Sequence, residues 1–258
     1  MDFKKDFFKL LGKLKRGENF AYTRFSDGEI AIMQGKILVL QDDRVIFGDT
    51  VHNFGYSEND HKEFDPKRDK FLTDKLIEAY KHKQEDYFVG GICRNCTCAS
   101  QEFGPWMREL YGEDDDSAMS TNLLVNSNYP MFVNHFIKEF KNKSVVIVCN
   151  ENAKFDNLPF EVVKDFRVGK NCIINDHHLV DEMKAYIDDN NVEDHVFLFS
   201  ASSLSEVLIY ELFKHNSKNT YIDIGTTLHP YLDMELARDY LRAYWASSFH
   251  PDLLKNCS

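Results

Sequence analysis

The sequence contains neither of two glycine-rich signatures that mark widespread nucleotide-binding folds. Its 12 glycines include no G-x-G-x-x-G run and no G-x-x-x-x-G-K run. The first motif holds the pyrophosphate of a dinucleotide, and the second cradles the phosphates of ATP or GTP. Their absence argues against an NAD-dependent enzyme and against a P-loop NTPase.

The chain is also poor in positive charge. It has 31 Lys and Arg residues against 42 Asp and Glu residues, which gives a formal net charge of −11. Because an acidic surface repels a phosphate backbone, this balance disfavours nucleic acid as a partner. A small anionic substrate would need a local cation to overcome the same field.

Long apolar runs and paired cysteine motifs are missing as well. No stretch approaches the roughly 20 apolar residues of a membrane-spanning helix, and the lysine-rich N-terminus lacks the apolar core of a signal peptide. Only one C-x-x-C motif occurs among the six cysteines, at Cys93 and Cys96, so a structural zinc site is disfavoured. We expect a cytoplasmic protein with reduced thiols and no transmembrane segment.

The second half of the chain alternates apolar runs with helical patterns. Predicted strands lie at 144–149, 172–174, 195–199 and 220–224, and predicted helices lie at about 160–165, 179–189 and 204–214. Such alternation is typical of β-α-β units with right-handed crossovers. We therefore predict an α/β fold, a single Rossmann-like domain over residues 1–258 with a mostly parallel sheet flanked by helices. Residues 36–69 are predicted to form a loop or lid insertion containing short strands.

The N-terminal segment, residues 1–16, shows helical spacing of apolar residues with lysines at the other positions, and Gly17 is a suitable C-cap. One interpretation is peripheral contact with an anionic membrane surface. The other is a helix that packs on the core and exposes a solvated lysine face. The second interpretation is favoured.

The most informative stretch runs from Arg24 to Glu29 and reads Arg-Phe-Ser-Asp-Gly-Glu. The carboxylates of Asp27 and Glu29 are one residue apart, so they can share a hard divalent cation whose other positions go to substrate phosphates. Gly28 permits a sharp bend, and Arg24 can meet a phosphate in a bidentate manner. Alternatively, Ser26 and Glu29 form a capping box at the start of a helix, and Glu29 then binds no metal.

Further candidates follow from the predicted sheet, because ligands in open parallel sheets bind at the carboxyl ends of strands. The polar residues at these positions are Asn150, Asn152, Ser200, Ser202 and Ser203. The turn at 200–203 leads into a helix N-terminus, which suits an anion. A capping box between Ser203 and Glu206 explains the same residues without a ligand. Asn122, in a candidate strand or loop, can hydrogen-bond a sugar or a base.

The run from Arg24 to Glu29 resembles the R-F-x-D-G-E signature of GT-D-type (DUF1792-like) glycosyltransferases, a nucleotide-sugar-dependent family. Residues 197–203 and 219–225 resemble its C-terminal segments, an apolar strand with a small-residue turn and a D-x-G strand end. The resemblance implies a GT-D-like fold with Mn²⁺ or Mg²⁺ on Asp27 and Glu29. It also implies that Arg24, Phe25 and Ser26 help to bind a nucleotide-sugar donor. We expect a UDP-sugar donor and a glycan hydroxyl as the acceptor.

An inverting sugar transfer needs a base near the acceptor hydroxyl, and the candidates are Asp223 and His229. In the family an acidic residue often follows the D-x-G strand end, whereas this chain continues Thr226-Thr227-Leu228-His229. The identity of the base therefore stays open. Two rival functions also stay open: a metal-dependent phosphoesterase and a non-catalytic nucleotide- or glycan-binding module.

Overall fold

The computed structural model describes residues 2–41, 44–53, 61–91, 103–112 and 118–247, so Cys93, Cys96 and Cys98 lie outside the described residues. The α-helices are α1 (Phe3–Arg16), α2 (Asp27–Met33), α3 (Lys70–Lys81), α4 (Phe103–Tyr111), α5 (Tyr129–Met131), α6 (Cys172–Asn175), α7 (Leu179–Asp189), α8 (Leu204–His215) and α9 (Asp239–Ser247). The strands are β1 (Ala21–Arg24), β2 (Leu38–Gln41), β3 (Arg44–Phe47), β4 (Thr50–Asn53), β5 (Lys62–Phe64), β6 (Tyr87–Gly91), β7 (Met119–Ser120), β8 (Val145–Asn150), β9 (Val162–Val168), β10 (Val196–Phe199) and β11 (Thr220–Asp223). Helix α5 lies between short 3-10 and π-helical turns.

Seven strands form one sheet in the order β7-β6-β1-β11-β10-β8-β9, and every pair in it is parallel. Strands β10 and β11 are buried at each residue, as expected for strands covered by helices on both faces. Two apolar clusters lie on opposite faces, since Tyr221 belongs to one and Ile222 to the other. The predicted α/β class with a mostly parallel sheet flanked by helices is confirmed.

The order of elements between β8 and α7 differs from the prediction. Residues 160–165 were predicted to be helical and 172–174 to be a strand, but the strand is Val162–Val168 and the helix is Cys172–Asn175. Strand β9 pairs with β8 along six register positions, and this ladder outweighs a weak helical spacing. Asn171 has a left-handed backbone with φ of 52°, which turns the chain before the two isoleucines and prevents an extended run.

Strands β2, β3, β4 and β5 form a second, antiparallel sheet in the order β4-β3-β2-β5. Its strand β5 is joined to the segment before α6, because Asn171 N donates to His61 O at 3.0 Å and Glu63 N donates to Asn171 Oδ1 at 3.0 Å. The contact places Lys62 beside the carboxyl edge of the main sheet. The role of this segment as a lid stays a prediction.

Helix α1 packs on the sheet, as the favoured interpretation required. Phe7, Leu10, Leu11 and Leu14 are buried, and Gly17 ends the helix with φ of 71°. Among the described residues, no helix is both long enough and apolar enough to cross a membrane.

Candidate functional site

A cavity of about 430 Å³ opens at the carboxyl edge of the parallel sheet. Its lining comes from the ends of six strands of the parallel sheet and the segments that follow them, and from Lys62 of β5; the six strands are β1, β7, β8, β9, β10 and β11. The volume lies within the range of small-molecule sites, roughly 300–1,000 Å³. The position agrees with the rule that open parallel sheets bind ligands beyond the strand ends.

The turn after β1 forms the capping box that the sequence offered as an alternative. Ser26 N and Ser26 Oγ both donate to Glu29 Oε2, each at 3.0 Å, and α2 begins at Asp27. Asp27 is exposed and lines the cavity, and its Oδ1 accepts from Gly28 N at 3.0 Å. Glu29 also lines the cavity, so its fold-back onto Ser26 does not remove it from the site.

Glu29 is held from its other side by the turn after β10. Ser203 Oγ donates to Glu29 Oε1 at 2.5 Å, across 174 positions in sequence. Burial by itself raises the pKa of Glu29, but the nearby Lys62 ammonium and the hydrogen bonds from Ser203 and Ser26 hold this pKa below its usual value. Glu29 is therefore an ionised carboxylate whose position depends on two distant parts of the chain.

Three cationic side chains, Arg24, Lys62 and Arg238, line the same cavity. The Arg24 guanidinium is oriented by Nε, which donates to Thr121 O at 2.9 Å, and its Nη1 lies 3.7 Å from Asp223 Oδ1. A Cβ on Gly28 would lie 3.2 Å from Lys62 Nζ, so the lysine reaches directly over the Asp-Gly-Glu turn. Three cations thus lie among the carboxyl groups of the cavity, where they can bind an anionic ligand.

The cavity brings together ten of the thirteen residues that the sequence singled out. They are Arg24, Ser26, Asp27, Glu29, Asn122, Asn150, Ser200, Ser202, Asp223 and His229. Three others do not line it. Phe25 is fully buried and packs edge-on against Tyr80, Asn152 is exposed outside the cavity, and Ser203 lies buried behind Glu29. Phe25 and Ser203 support the site rather than line it.

The suggested capping box at α8 is wrong. The Ser203 hydroxyl donates to Glu29, and in the described part of the chain no side-chain hydrogen bond caps the helix. Glu206 is buried and its carboxyl lies within hydrogen-bonding reach of Asp223. The sequence signal for this role is an acid among the apolar residues of α8: of its two acids, Glu206 and Glu211, Glu206 is the buried one. Lys62 and Arg238 carried no such signal, because only the fold brings their segments to the cavity.

Two non-glycine residues that line the cavity have left-handed backbones. Ser202 has φ of 51° and Asn126 has φ of 53°. A positive φ is uncommon for a non-glycine residue, and such conformations cluster at functional sites where the surrounding structure holds them. Asn126 is fixed by its Nδ2, which donates to Asn122 Oδ1 at 2.8 Å.

The carboxylates of Asp27 and Glu29 suit a hard divalent cation. Glu29 Oε1 accepts one hydrogen bond and Asp27 is exposed to the cavity, so each retains acceptor capacity. Within the described ranges, no group of three or more His, Cys, Asp or Glu residues forms a ready metal cage. A cation here would therefore take its remaining ligands from water and substrate phosphates, which is the usual arrangement for Mg²⁺.

The fold and the cavity define the class of protein: a doubly covered parallel α/β sheet with a charged ligand site at its carboxyl edge. Comparison with protein-family models and with curated protein sequences gave no match. The structure is similar to two solved structures of the domain of unknown function 1792, each with a TM-score of 0.55 and 16% sequence identity. Each alignment covers 93% of this chain and 80% of the other chain. One of the two is described as having a distinct glycosyltransferase fold, and this chain has that fold.

Proposed function

We propose that this protein is a metal-dependent glycosyltransferase that moves a sugar from a nucleoside-diphosphate sugar, with UDP as the favoured nucleotide, to a hydroxyl of a glycan acceptor. The glycosyltransferase fold supports the activity. The observation that carries the proposal is the combination of the Asp27–Glu29 carboxylates with Arg24, Lys62 and Arg238 in one cavity. A metal-dependent diphosphate site requires carboxylates that bind the metal ion and fixed cationic side chains that bind the phosphates.

Each side chain has a distinct task in this proposal. Asp27 and Glu29 would hold Mn²⁺ or Mg²⁺, which when bound supplies Lewis-acid stabilisation of the departing diphosphate. Arg24 is preorganised by Thr121 O, so its guanidinium loses little freedom when it meets a phosphate oxygen. Lys62 reaches the same region from the second sheet. Asn122, Asn150 and the 200–202 turn supply amide and hydroxyl groups for the sugar and the base.

The acceptor needs a base, and both predicted candidates line the cavity. Asp223 ends β11 and receives a hydrogen bond on Oδ1 from Gly225 N at 2.8 Å. His229 has Nδ1 within 3.2 Å of Glu235 O, so its Nε2 carries the acceptor lone pair when Nδ1 is protonated. We assign the base to Asp223, because its carboxylate is fixed by Gly225 and faced by Arg24.

The test is turnover of a panel of UDP-sugars, measured as UDP release with and without Mn²⁺ or Mg²⁺. The Asp27→Asn variant keeps the shape of the side chain and removes its charge, and we expect kcat to fall on the order of 100-fold, as when one preorganised transition-state contact is removed. The matched control is Asp189→Asn, which removes the same charge at the exposed end of α7, outside the cavity.

Unchanged turnover of Asp27→Asn in the presence of a chelator would count against the metal role. Cleavage of p-nitrophenyl phosphate without turnover of any UDP-sugar would instead favour the phosphoesterase. If a UDP-sugar binds with Mn²⁺ and no turnover occurs with any acceptor, the binding-module alternative is favoured.

A further inference from the structure

Two buried carboxyl groups, Glu206 and Asp223, line the cavity in addition to the Asp27–Glu29 pair of the diphosphate site. Glu206 is 1% exposed and Asp223 is 4% exposed. Glu206 lies in the first turn of α8, and this helix packs on β1 and β11. Asp223 is the last residue of β11, so the helix and the strand bring the two carboxyls within hydrogen-bonding reach.

Two adjacent ionised carboxylates are unfavourable at such buried positions, because like charges repel and burial removes most of their hydration. The surroundings decide which group keeps the charge. Arg24 Nη1 lies 3.7 Å from Asp223 Oδ1, and Gly225 N donates to the same oxygen at 2.8 Å. Glu206 receives a hydrogen bond from its own backbone amide, but among the described residues its buried Oε2 has no hydrogen-bond donor.

The electrostatics of the neighbouring elements agree with this assignment. Burial raises the pKa of Glu206 well above its usual value, and the carboxylates of Glu29 on α2 and Asp223 on β11 raise it further. Burial also raises the pKa of Asp223, but the Arg24 guanidinium on β1 opposes the rise. Arg24 on β1 and Tyr87 on β6 also interact electrostatically with Glu206, and burial raises the pKa of Tyr87, so its hydroxyl is neutral. The shared proton therefore resides on Glu206.

We propose that Glu206 is a positioning residue, which stays protonated and donates a hydrogen bond that holds the Asp223 carboxylate toward the cavity. This inference rests on the proposed sugar transfer, in which Asp223 accepts the proton of the acceptor hydroxyl. The hydroxyl oxygen then forms a bond to the anomeric carbon. The bond from that carbon to the diphosphate breaks, and its electron pair leaves with the diphosphate. In this proposal Glu206 acts through Asp223.

The first test does not need activity. The protein and its Glu206→Gln variant are unfolded with denaturant from pH 4 to pH 8. A carboxyl with a raised folded-state pKa contributes stability below its unfolded pKa, near 4.3, and loses that contribution as the pH rises. The folding constant of the unmodified protein should therefore fall, relative to Glu206→Gln, by about tenfold per pH unit above that value.

Helix α8 provides a matched control for this measurement. Glu211 lies on the same helix, but Lys75 and Lys184 bind its carboxylate, each at 2.8 Å. Glu211→Gln should therefore be less stable than the unmodified protein at neutral pH, which is the opposite of the change expected for Glu206→Gln. If the ratio of the folding constants of the unmodified protein and Glu206→Gln stays constant between pH 4 and pH 8, Glu206 is ionised and the inference is overturned.

Infrared spectra provide an independent measurement. The C=O band of protonated carboxyl groups should weaken in Glu206→Gln, and an unchanged band would also overturn the inference.

The second test uses UDP-sugar turnover. In Glu206→Ala the donor to Asp223 is lost, and we expect kcat to fall about 100-fold, the effect of a small misplacement of a reacting group. The KM for the UDP-sugar should change little, and the acid limb of the pH profile should move to higher pH. Glu206→Gln retains an N–H donor and should recover most of the lost kcat. An unchanged kcat and acid limb in Glu206→Ala would overturn the positioning role.

The two tests separate this inference from the proposed function. If the unmodified protein turns over no UDP-sugar, the proposed function fails and the role of Glu206 in sugar transfer fails with it. The pH dependence of stability then still decides whether Glu206 holds the proton of the carboxyl pair. If turnover is found and the ratio of the two folding constants does not change with pH, the proposed function stands and the inference about Glu206 is overturned.

Discussion

Gly225 follows Asp223 in the cavity lining by two residues and permits the close approach of Arg24. Its φ is +50°, and a Cβ at this position would lie 2.2 Å from Arg24 Nη1. The Gly225→Ala substitution therefore has two costs. The left-handed backbone costs an alanine about 1–2 kcal/mol, and the guanidinium must also move away from Asp223.

The second cost can be worked out from the contacts of Arg24. Displacement of the guanidinium weakens its hydrogen bond to Thr121 O and its ion pair with Asp223. A hydrogen bond to a charged group is worth about 1.5–3 kcal/mol. Gly225→Ala should therefore reduce the free energy of unfolding by about 2.5–5 kcal/mol in total, from these two terms.

The matched control is Gly17→Ala. Gly17 also has a left-handed backbone, with φ of +71°, but a Cβ there would meet only Lys143 Nζ at an ordinary 3.9 Å. It should show the backbone cost alone, about 1–2 kcal/mol. Since 1 kcal/mol shifts Tm by about 2–4 °C in a chain of this size, Gly225→Ala should melt about 3–12 °C below the control. Denaturant unfolding gives the free energies, and calorimetry gives the two Tm values.

Gly225→Ala should also raise the KM for the UDP-sugar, whereas Gly17→Ala should not, because Gly17 lies away from the cavity. Equal stability losses in the two variants would refute the reasoning. Such a result would mean that Arg24 moves without cost and that its contacts with Thr121 and Asp223 contribute nothing measurable.

Two further predictions concern stability. A Cβ on Gly90 would lie 2.5 Å from Thr23 O in the neighbouring strand, whereas one on Gly91 would lie 3.5 Å from Tyr80 Oη. Gly90→Ala should therefore lower the free energy of unfolding by about 1–3 kcal/mol or more through overpacking. Gly91→Ala should be neutral or stabilising, and similar unfolding midpoints for the two variants would contradict this prediction. Burial raises the pKa of Glu211, but Lys184 and Lys75 outweigh it and lower the pKa to about 2. A carboxyl group with a depressed folded-state pKa stabilises the fold at pH values above its unfolded pKa. Glu211→Gln should therefore lower the free energy of unfolding by about 1–2 kcal/mol at pH 7, and this loss should vanish as the pH falls toward 2. A loss that persists at pH 2 would show that the ion pairs are not its source.

Much of the fold could be predicted because its strands and helices have strong local patterns. The apolar run at 144–149 and the helical spacing at 179–189 both form the predicted elements. Between them, the local pattern was misleading: in the strand Val162–Val168 only Phe166 and Val168 are buried, and the two isoleucines after Asn171 lie in a short helix. Pairing with β8 decided the strand, and pairing is not a local property.

The candidate site shows the same division. By itself the sequence determined the Asp-Gly-Glu turn after β1 and the polar strand ends, because the carboxyl ends of parallel strands meet at one edge of the sheet. Only the tertiary structure decided that Ser203 binds Glu29, that Lys62 reaches the turn from a second sheet, and that Glu206 faces Asp223. The reason is physical: a hydrogen bond or a shared proton depends on distances between segments that are far apart in sequence, and no local pattern records those distances.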